Sequence, residues 1–209
     1  SVIMCKQGIV GVFLVALFIV GIFVDARRIA AATLAYVTNG GHGTVSVIDT
    51  ASNTVVTTIP VTTTPFNLSG KIAATPDCQQ VYVPKFDGTV SVIDTASNTV
   101  VGPPITVGDR ANGIAITPDG TRAYVAQSAF PNIHGVAVID TASNMVVTTV
   151  PLPATPSAVA ITPDGLRVYV TQTDFFTFQS LVSVIDTASN TVVGTPIGVG
   201  VVPDSIAMT

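Results

Sequence analysis

Few side chains in this sequence could carry out chemistry. There are two histidines, His42 and His134, and twelve acidic residues, all of them aspartate. Imidazole and carboxylate are ordinary ligands of divalent metal ions. His42, His134, Asp87 and Asp174 are therefore the set that could surround an ion at the centre of the molecule, although their spacing matches no metal signature. A serine nucleophile has less support. Ser46, Ser91 and Ser183 belong to repeated β segments, and no Gly-x-Ser-x-Gly elbow occurs. No glycine-rich phosphate loop opening a helix is present either. The residues call for no cofactor and single out no catalytic group.

Two further features suit binding. Arg110 stands in a variable segment, and Phe175-Phe176-Thr177-Phe178 is an aromatic run in a loop. That run is expected to pack over a channel mouth or against a neighbouring unit; the alternative is an exposed apolar patch that meets a partner. The candidate binding set is thus His42, Asp87, Arg110, His134, Asp174, Phe175 and Phe176. Most other aspartates have a structural explanation. Asp49, Asp94, Asp140 and Asp186 recur in one turn, and Asp77, Asp119 and Asp164 in another, where the carboxylate bonds the backbone of its own turn.

Composition narrows the function classes. Eight lysines and arginines against twelve acids give a formal charge of −4. The cations Lys71, Lys85, Arg110, Arg122 and Arg167 are scattered, whereas a nucleic-acid groove needs them clustered. Nucleic acid is not an expected partner. Residues 8–24 (GIVGVFLVALFIVGIFV) form an unbroken apolar run with Lys6 ahead of it. Val24-Asp25-Ala26 then places small residues where a signal peptidase cuts. Residues 1–26 accordingly read as a signal peptide or an N-terminal membrane anchor, with cleavage near Arg27 expected. The rest of the chain is expected to be secreted, periplasmic or on the cell surface, touching membrane only through that segment. The two cysteines are Cys5, in the leader, and Cys78, so the mature chain is expected to lack an internal disulfide.

A repeat positions these residues. Ile-Asp-Thr-Ala-Ser-Asn begins at Ile48, Ile93, Ile139 and Ile185, at spacings of 45, 46 and 46. Thr-Pro-Asp begins at Thr75, Thr117 and Thr162, and Tyr-Val at Tyr36, Tyr82, Tyr124 and Tyr169. Val, Ile, Thr and Tyr fill the stretches between turns, and helical periodicity is absent. In Pro-Asp-Gly, proline presets one φ, Asp bonds its own backbone and Gly accepts positive φ. Cys78 replaces that glycine in one copy. Each unit holds four short strands, called A to D here, which is the pattern of a β-propeller blade. Alanines at 73, 115, 160 and 207 suit the innermost strand A. The nearly continuous apolar runs of B and C suit burial on both faces, and the threonine-rich D suits the outer edge.

Tyr36-Val37-Thr38-Asn39, Ser46-Val47-Ile48-Asp49-Thr50 and Ile116-Thr117-Pro118-Asp119-Gly120 resemble the motifs of the YVTN-repeat β-propeller family over residues 36–209. The resemblance implies an all-β ring of usually seven four-stranded blades, on a cell surface or in the periplasm. Most members of that family have no known function; some relatives bind nucleic acid, and similar propellers include lactonases and quinone-dependent dehydrogenases. This chain holds about four blades, near 36–71, 72–112, 113–157 and 158–203, and a lone strand at 204–209. It reads as an arc of a larger ring, with the Tyr36 and Ile206 strands apart. The alternative is a closed four-bladed ring in which they pair.

Strand alternation puts the repeated turns on one face of the disc. The B–C and D–A loops, which vary between units, lie on the other, and variable loops on a rigid scaffold usually carry function. The expected function is a non-catalytic exported binding or surface-structural module, taking a protein, glycan or small ligand through that face. The alternative is an enzyme of lactonase or dehydrogenase type with a metal or substrate at the central channel.

Overall fold

The computed structural model describes residues 2–6, 33–129 and 133–208. The apolar run at 8–24 and its cleavage site lie outside the described residues. Within them no helix is long and apolar enough to cross a membrane.

The chain is all β, in four antiparallel four-stranded sheets that follow one another in sequence. The first contains β1 (Val2–Lys6), β2 (Thr33–Asn39), β3 (Thr44–Asp49) and β4 (Thr54–Pro60). The second contains β5 (Ala73–Ala74), β6 (Gln80–Pro84), β7 (Thr89–Asp94) and β8 (Thr99–Thr106). The third contains β9 (Arg110–Ile116), β10 (Arg122–Ala129), β11 (Ile133–Asp140) and β12 (Met145–Pro151). The fourth contains β13 (Thr155–Ile161), β14 (Arg167–Asp174), β15 (Gln179–Asp186) and β16 (Thr191–Val199). This is the blade pattern that the repeats predict, and the arrangement is that of a four-blade propeller-like fold.

The turns form for local reasons. Thr75, Thr117 and Thr162 each donate a hydroxyl to the aspartate two residues on, at 2.6, 2.5 and 2.5 Å. That aspartate also accepts the N–H of Gln79, Thr121 or Leu166. Gly120 and Gly165 hold φ of 74° and 73°, and Cys78 occupies the same conformation at 60°. In the other turn, Asp49, Asp94, Asp140 and Asp186 cap the backbone N–H of Ser52, Ser97, Ser143 and Ser189. Asn53, Asn98, Asn144 and Asn190 close it with φ between 52° and 55°, a region that asparagine tolerates better than most residues. All seven aspartates are accounted for by capping.

Between successive sheets lie apolar cores. Tyr36, Val45 and Val47 meet Val81, Val83 and Ile93. Tyr82, Val90 and Val92 meet Ala123, Val125 and Ile139. Tyr124, Val136 and Val138 meet Val168, Val170 and Ile185. The second and third blades therefore bury both faces of their B and C strands, which explains their unbroken apolar runs. The D strands face water. Prolines at 103, 104 and 196 interrupt them, as an outer edge with no further neighbour permits.

Two features depart from the sequence reading. Residues 2–6, expected only as part of the 1–26 leader, form β1 and take the strand A position beside β2, from Val2 opposite Val37 to Lys6 opposite Thr33. Cys78 is disulfide-bonded in the chain that retains residues 2–6, whereas the expectation of no internal disulfide was for a chain without residues 1–26. The physical reason is shared: β1 closes the inner edge of the first sheet and touches β5 of the second, so distant parts of the chain come to the core that Cys78 borders. The edge of β2 is thus taken by β1, and residues 203–208 pair with no strand. The Tyr36 and Ile206 segments do not pair with each other among the described residues. Strand contacts join the first sheet to the second, second to third and third to fourth; among the described residues no comparable contact joins the fourth to the first.

Candidate functional site

The B–C and D–A connections share one face of the arc. His42 lies in the tight turn after β2, its N–H donated to the Asn39 carbonyl at 3.0 Å and its side chain exposed. Asp87 sits in the next B–C turn and is locked in place. Asn67 Nδ2 donates to it at 2.7 Å, the Thr89 hydroxyl at 2.6 Å, and Lys85 Nζ stands 3.7 Å away. Burial alone would raise its pKa, but these donors and the Lys85 charge outweigh that and hold it below the ordinary value.

Arg110 opens β9, its guanidinium 4.4 Å from the centre of the Phe86 ring, a cation–π contact. The Ala111 N–H donates to the Lys85 carbonyl. Arg110 and Asp87 thus flank one connection between the second and third sheets. That grouping is structural: each side chain is engaged by a neighbour.

His134 lies on β11, opposite Ser128 of β10. Its Nε2 is 3.5 Å from the Thr155 hydroxyl, and its Nδ1 is buried without a hydrogen-bond partner. Asp174 ends β14 and caps its own loop, accepting the Phe176 N–H at 2.8 Å and the Thr177 hydroxyl at 2.7 Å. The Thr177 bond is the main reason its pKa is lowered, with a smaller contribution from His134. His134 and Asp174 are therefore electrostatic neighbours, while His42 and Asp87 belong to other blades. Among the described residues no three His, Cys or Asp side chains converge as a metal-holding group.

The aromatic loop overturns its expected role. Phe175, Phe176 and Phe178 are 59%, 87% and 69% exposed, so none of them is packed into a core. Asp174 anchors the loop while Phe178 holds φ of 56°, and the turn then has no interior to fold into. Val199, opposite Ser180 of β15, and Val201 and Val202 are also exposed nearby. The Val202 N–H donates to the Ser180 hydroxyl at 3.0 Å, which ties this stretch to the same end of the fourth sheet.

The sequence reading missed the role of Lys71. Its Nζ donates to the carbonyls of Ser157 and Asp204 at 3.3 and 2.9 Å, linking the start of the second blade to the fourth. Burial lowers its pKa, opposed by the Asp204 charge. A cavity of about 190 Å³ adjoins it, lined by Ile72, Ile114, Val159 and Ile206, the equivalent inner positions of successive units. A signal existed: Lys71 stands where other repeats carry Gly113, Ala158 and Ser205. On the opposite face a hollow of about 530 Å³ is lined by Asp77, Asp119 and Asp140, all engaged in turn capping.

No family model matches the chain, and no curated protein does. Many solved structures resemble it. One of these is the hydrazine synthase of Kuenenia stuttgartiensis, with a TM-score of 0.72 and 29% identity over 79% of this chain. The match spans 46% of that chain, less than half its length. The likeness is in a β-propeller-type fold.

Proposed function

We propose that this chain is a non-catalytic propeller module of the YVTN-repeat kind, exported and held at the cell surface, which binds a protein partner through its variable loop face. The observation that carries this reading is the exposure of Phe175, Phe176 and Phe178 beside Val201 and Val202. Large apolar side chains clustered at a loop tip lose free energy in water and regain it on meeting a complementary surface. The other polar candidates on this face, Asp87, Arg110 and Asp174, are engaged in holding their own loops and present a rigid rim. Residues 1–26 supply export. Pairing of β1 with β2 favours their retention in the folded chain, because removing residues 2–6 would expose the inner edge of the first sheet, and it sets residues 2–6 on the same side of any membrane as β2.

Two measurements test this reading. Intact mass of the protein recovered from the cell envelope should include residues 1–26; a mass beginning near Arg27 would make the segment a cleaved signal. Binding of the purified protein to envelope proteins and to arrayed glycans should fall for Phe176→Ser with thermal unfolding unchanged. Equal binding by wild type and variant would remove the aromatic loop as the contact, and glycan binding alone would change the partner class.

A further inference from the structure

Among the described residues eight besides glycine hold positive φ. Asn53, Asn98, Asn144 and Asn190 close the repeated turns, and Cys78 stands where other copies carry glycine. The other three, Phe66, Phe178 and Val202, are bulky, apolar and exposed. A bulky side chain in that region strains the backbone, and none of the three gains burial in return. Phe66 is set apart from the aromatic loop of the fourth sheet. It lies in the connection from β4 to β5, with φ of 58° and 77% of its surface exposed.

Neighbouring turns impose that conformation. Pro65 presets the first central position of a turn whose second position calls for glycine, and Phe66 fills it. The Phe66 N–H donates to the Gly40 carbonyl at 2.9 Å, which ties it to the first blade. The next residue is tied to the second blade: the Asn67 carbonyl accepts the Phe86 N–H at 2.6 Å, and Asn67 Nδ2 donates to Asp87 at 2.7 Å. The rim of the Phe66 ring passes beside Gly41, where an added Cβ would stand 3.6 Å from Cε1. Around the ring are polar groups. His42 and Thr64 are exposed, and the Asp87 side chain is 44% exposed. The bonds that fix Asp87 leave carboxylate lone pairs unused.

We propose that Phe66 and its polar neighbours form a binding site for a neutral saccharide, whose pyranose ring stacks on the open face of the Phe66 ring. A pyranose carries C–H groups on its faces and hydroxyls around its rim. The C–H groups meet the negative face of the aromatic ring, while the hydroxyls reach His42, Thr64 and Asp87. Lys85 stands 3.7 Å from Asp87 and offsets its charge, so the site suits an uncharged ligand. One phenyl ring framed by polar groups offers far less apolar area than the roughly 800 Å² that a stable protein interface takes from each partner. The positive φ turns the ring outward and fixes it there, so binding costs little side-chain freedom. The site is separate from the protein contact at Phe175 to Phe178.

Saturation-transfer NMR of the full chain with neutral trisaccharides of glucose, mannose, galactose and N-acetylglucosamine tests it. At least one should bind in the millimolar range. Phe66→Asn places at this turn the residue that the chain uses at four other positive-φ positions. It should weaken binding about ten-fold, the size of one aromatic stacking contact, with the urea midpoint equal to wild type or higher as the strain is relieved. Phe66→Tyr keeps the ring and should keep the affinity. Phe176→Ser should leave saccharide binding unchanged, which separates this site from the protein contact. No binding of any of the four trisaccharides would overturn the proposal. A lower midpoint for Phe66→Asn with affinity unchanged would overturn it too, and would make the ring a packing element. Equal weakening by Phe176→Ser would move the saccharide to the aromatic loop.

Discussion

The Tyr82 hydroxyl donates to Asn144 Oδ1 at 2.6 Å across the boundary between the second and third sheets. It joins a residue of one repeat to the turn of the next, 62 positions away, so it couples blade folding to blade docking. Tyr82→Phe removes the bond and leaves the asparagine acceptor half-buried. The expected loss is about 1 kcal/mol, read as a lower urea midpoint. Tyr169→Phe, with no partner to lose within the chain, should leave the midpoint of the monomer where it is. Equal losses at both positions would remove the lock from the account of stability.

Alkaline stability follows from the same tyrosines. Burial, aided by the negative charge of Asp94, pushes the Tyr36 hydroxyl from 10.0 up to about 12. Burial with Asp140 and Asp77 does the same for Tyr82. The folded chain therefore holds these protons more tightly than the unfolded chain. Their contribution to stability is complete below pH 10.0 and is lost as pH rises towards about 12. Ultraviolet titration should show these tyrosines ionising together with unfolding, and Tyr36→Phe should shallow the decline. Ionisation of all tyrosines near pH 10.0 with the fold intact would contradict this.

Acid has the opposite sign. The Thr117 hydroxyl, then the Thr121 N–H, hold the Asp119 carboxyl below its ordinary 3.8, and the Thr162 hydroxyl and Leu166 N–H do so for Asp164. The stabilisation is present above 3.8 and is lost as pH falls through the lower folded values. Asp119→Asn should lower stability at neutrality and make its further decline in acid less steep. An acid limb identical to wild type would mean that other carboxyls set it.

Gly120 and Gly165 test the turn geometry. Each has positive φ, and a side chain there would also meet the proline of the preceding blade. A Cβ on Gly120 would lie 3.2 Å from Pro76 Cδ, and one on Gly165 3.3 Å from Pro118 Cδ. Gly120→Val should cost about 1–3 kcal/mol through backbone strain, visible as a lower denaturation midpoint. Gly165→Val should behave alike. Midpoints unchanged in both would disprove the strained-turn assignment.

Much of the fold was legible in the sequence because its determinants are local. Asp119 caps its turn within two residues, Gly120 takes positive φ without a neighbour's help, and Asn144 closes its turn in the same way. Four copies of the Asn turn and three of the Thr-Pro-Asp turn marked the strand count per unit, and the unbroken runs such as Val136 to Ile139 announced a strand covered on both faces. The candidate site was legible only as a list. His134 and Asp174 are neighbours and His42 is not, which depends on how loops from separate blades meet.

Whatever joins distant residues was decided by tertiary structure. Residues 2–6 carry no repeat motif, yet they become β1 because β2 needs an inner partner and they supply one. Lys71 reads as one more scattered cation until the inner strands converge and the carbonyls of Ser157 and Asp204 reach its ammonium. The Phe175–Phe178 loop has a core-like composition, but its place beyond the end of β14 leaves nothing for it to cover. Local φ preferences and turn hydrogen bonds depend on a few consecutive residues, so sequence determines them by itself. Burial and long-range pairing depend on which surfaces meet, and only the packed chain settles that.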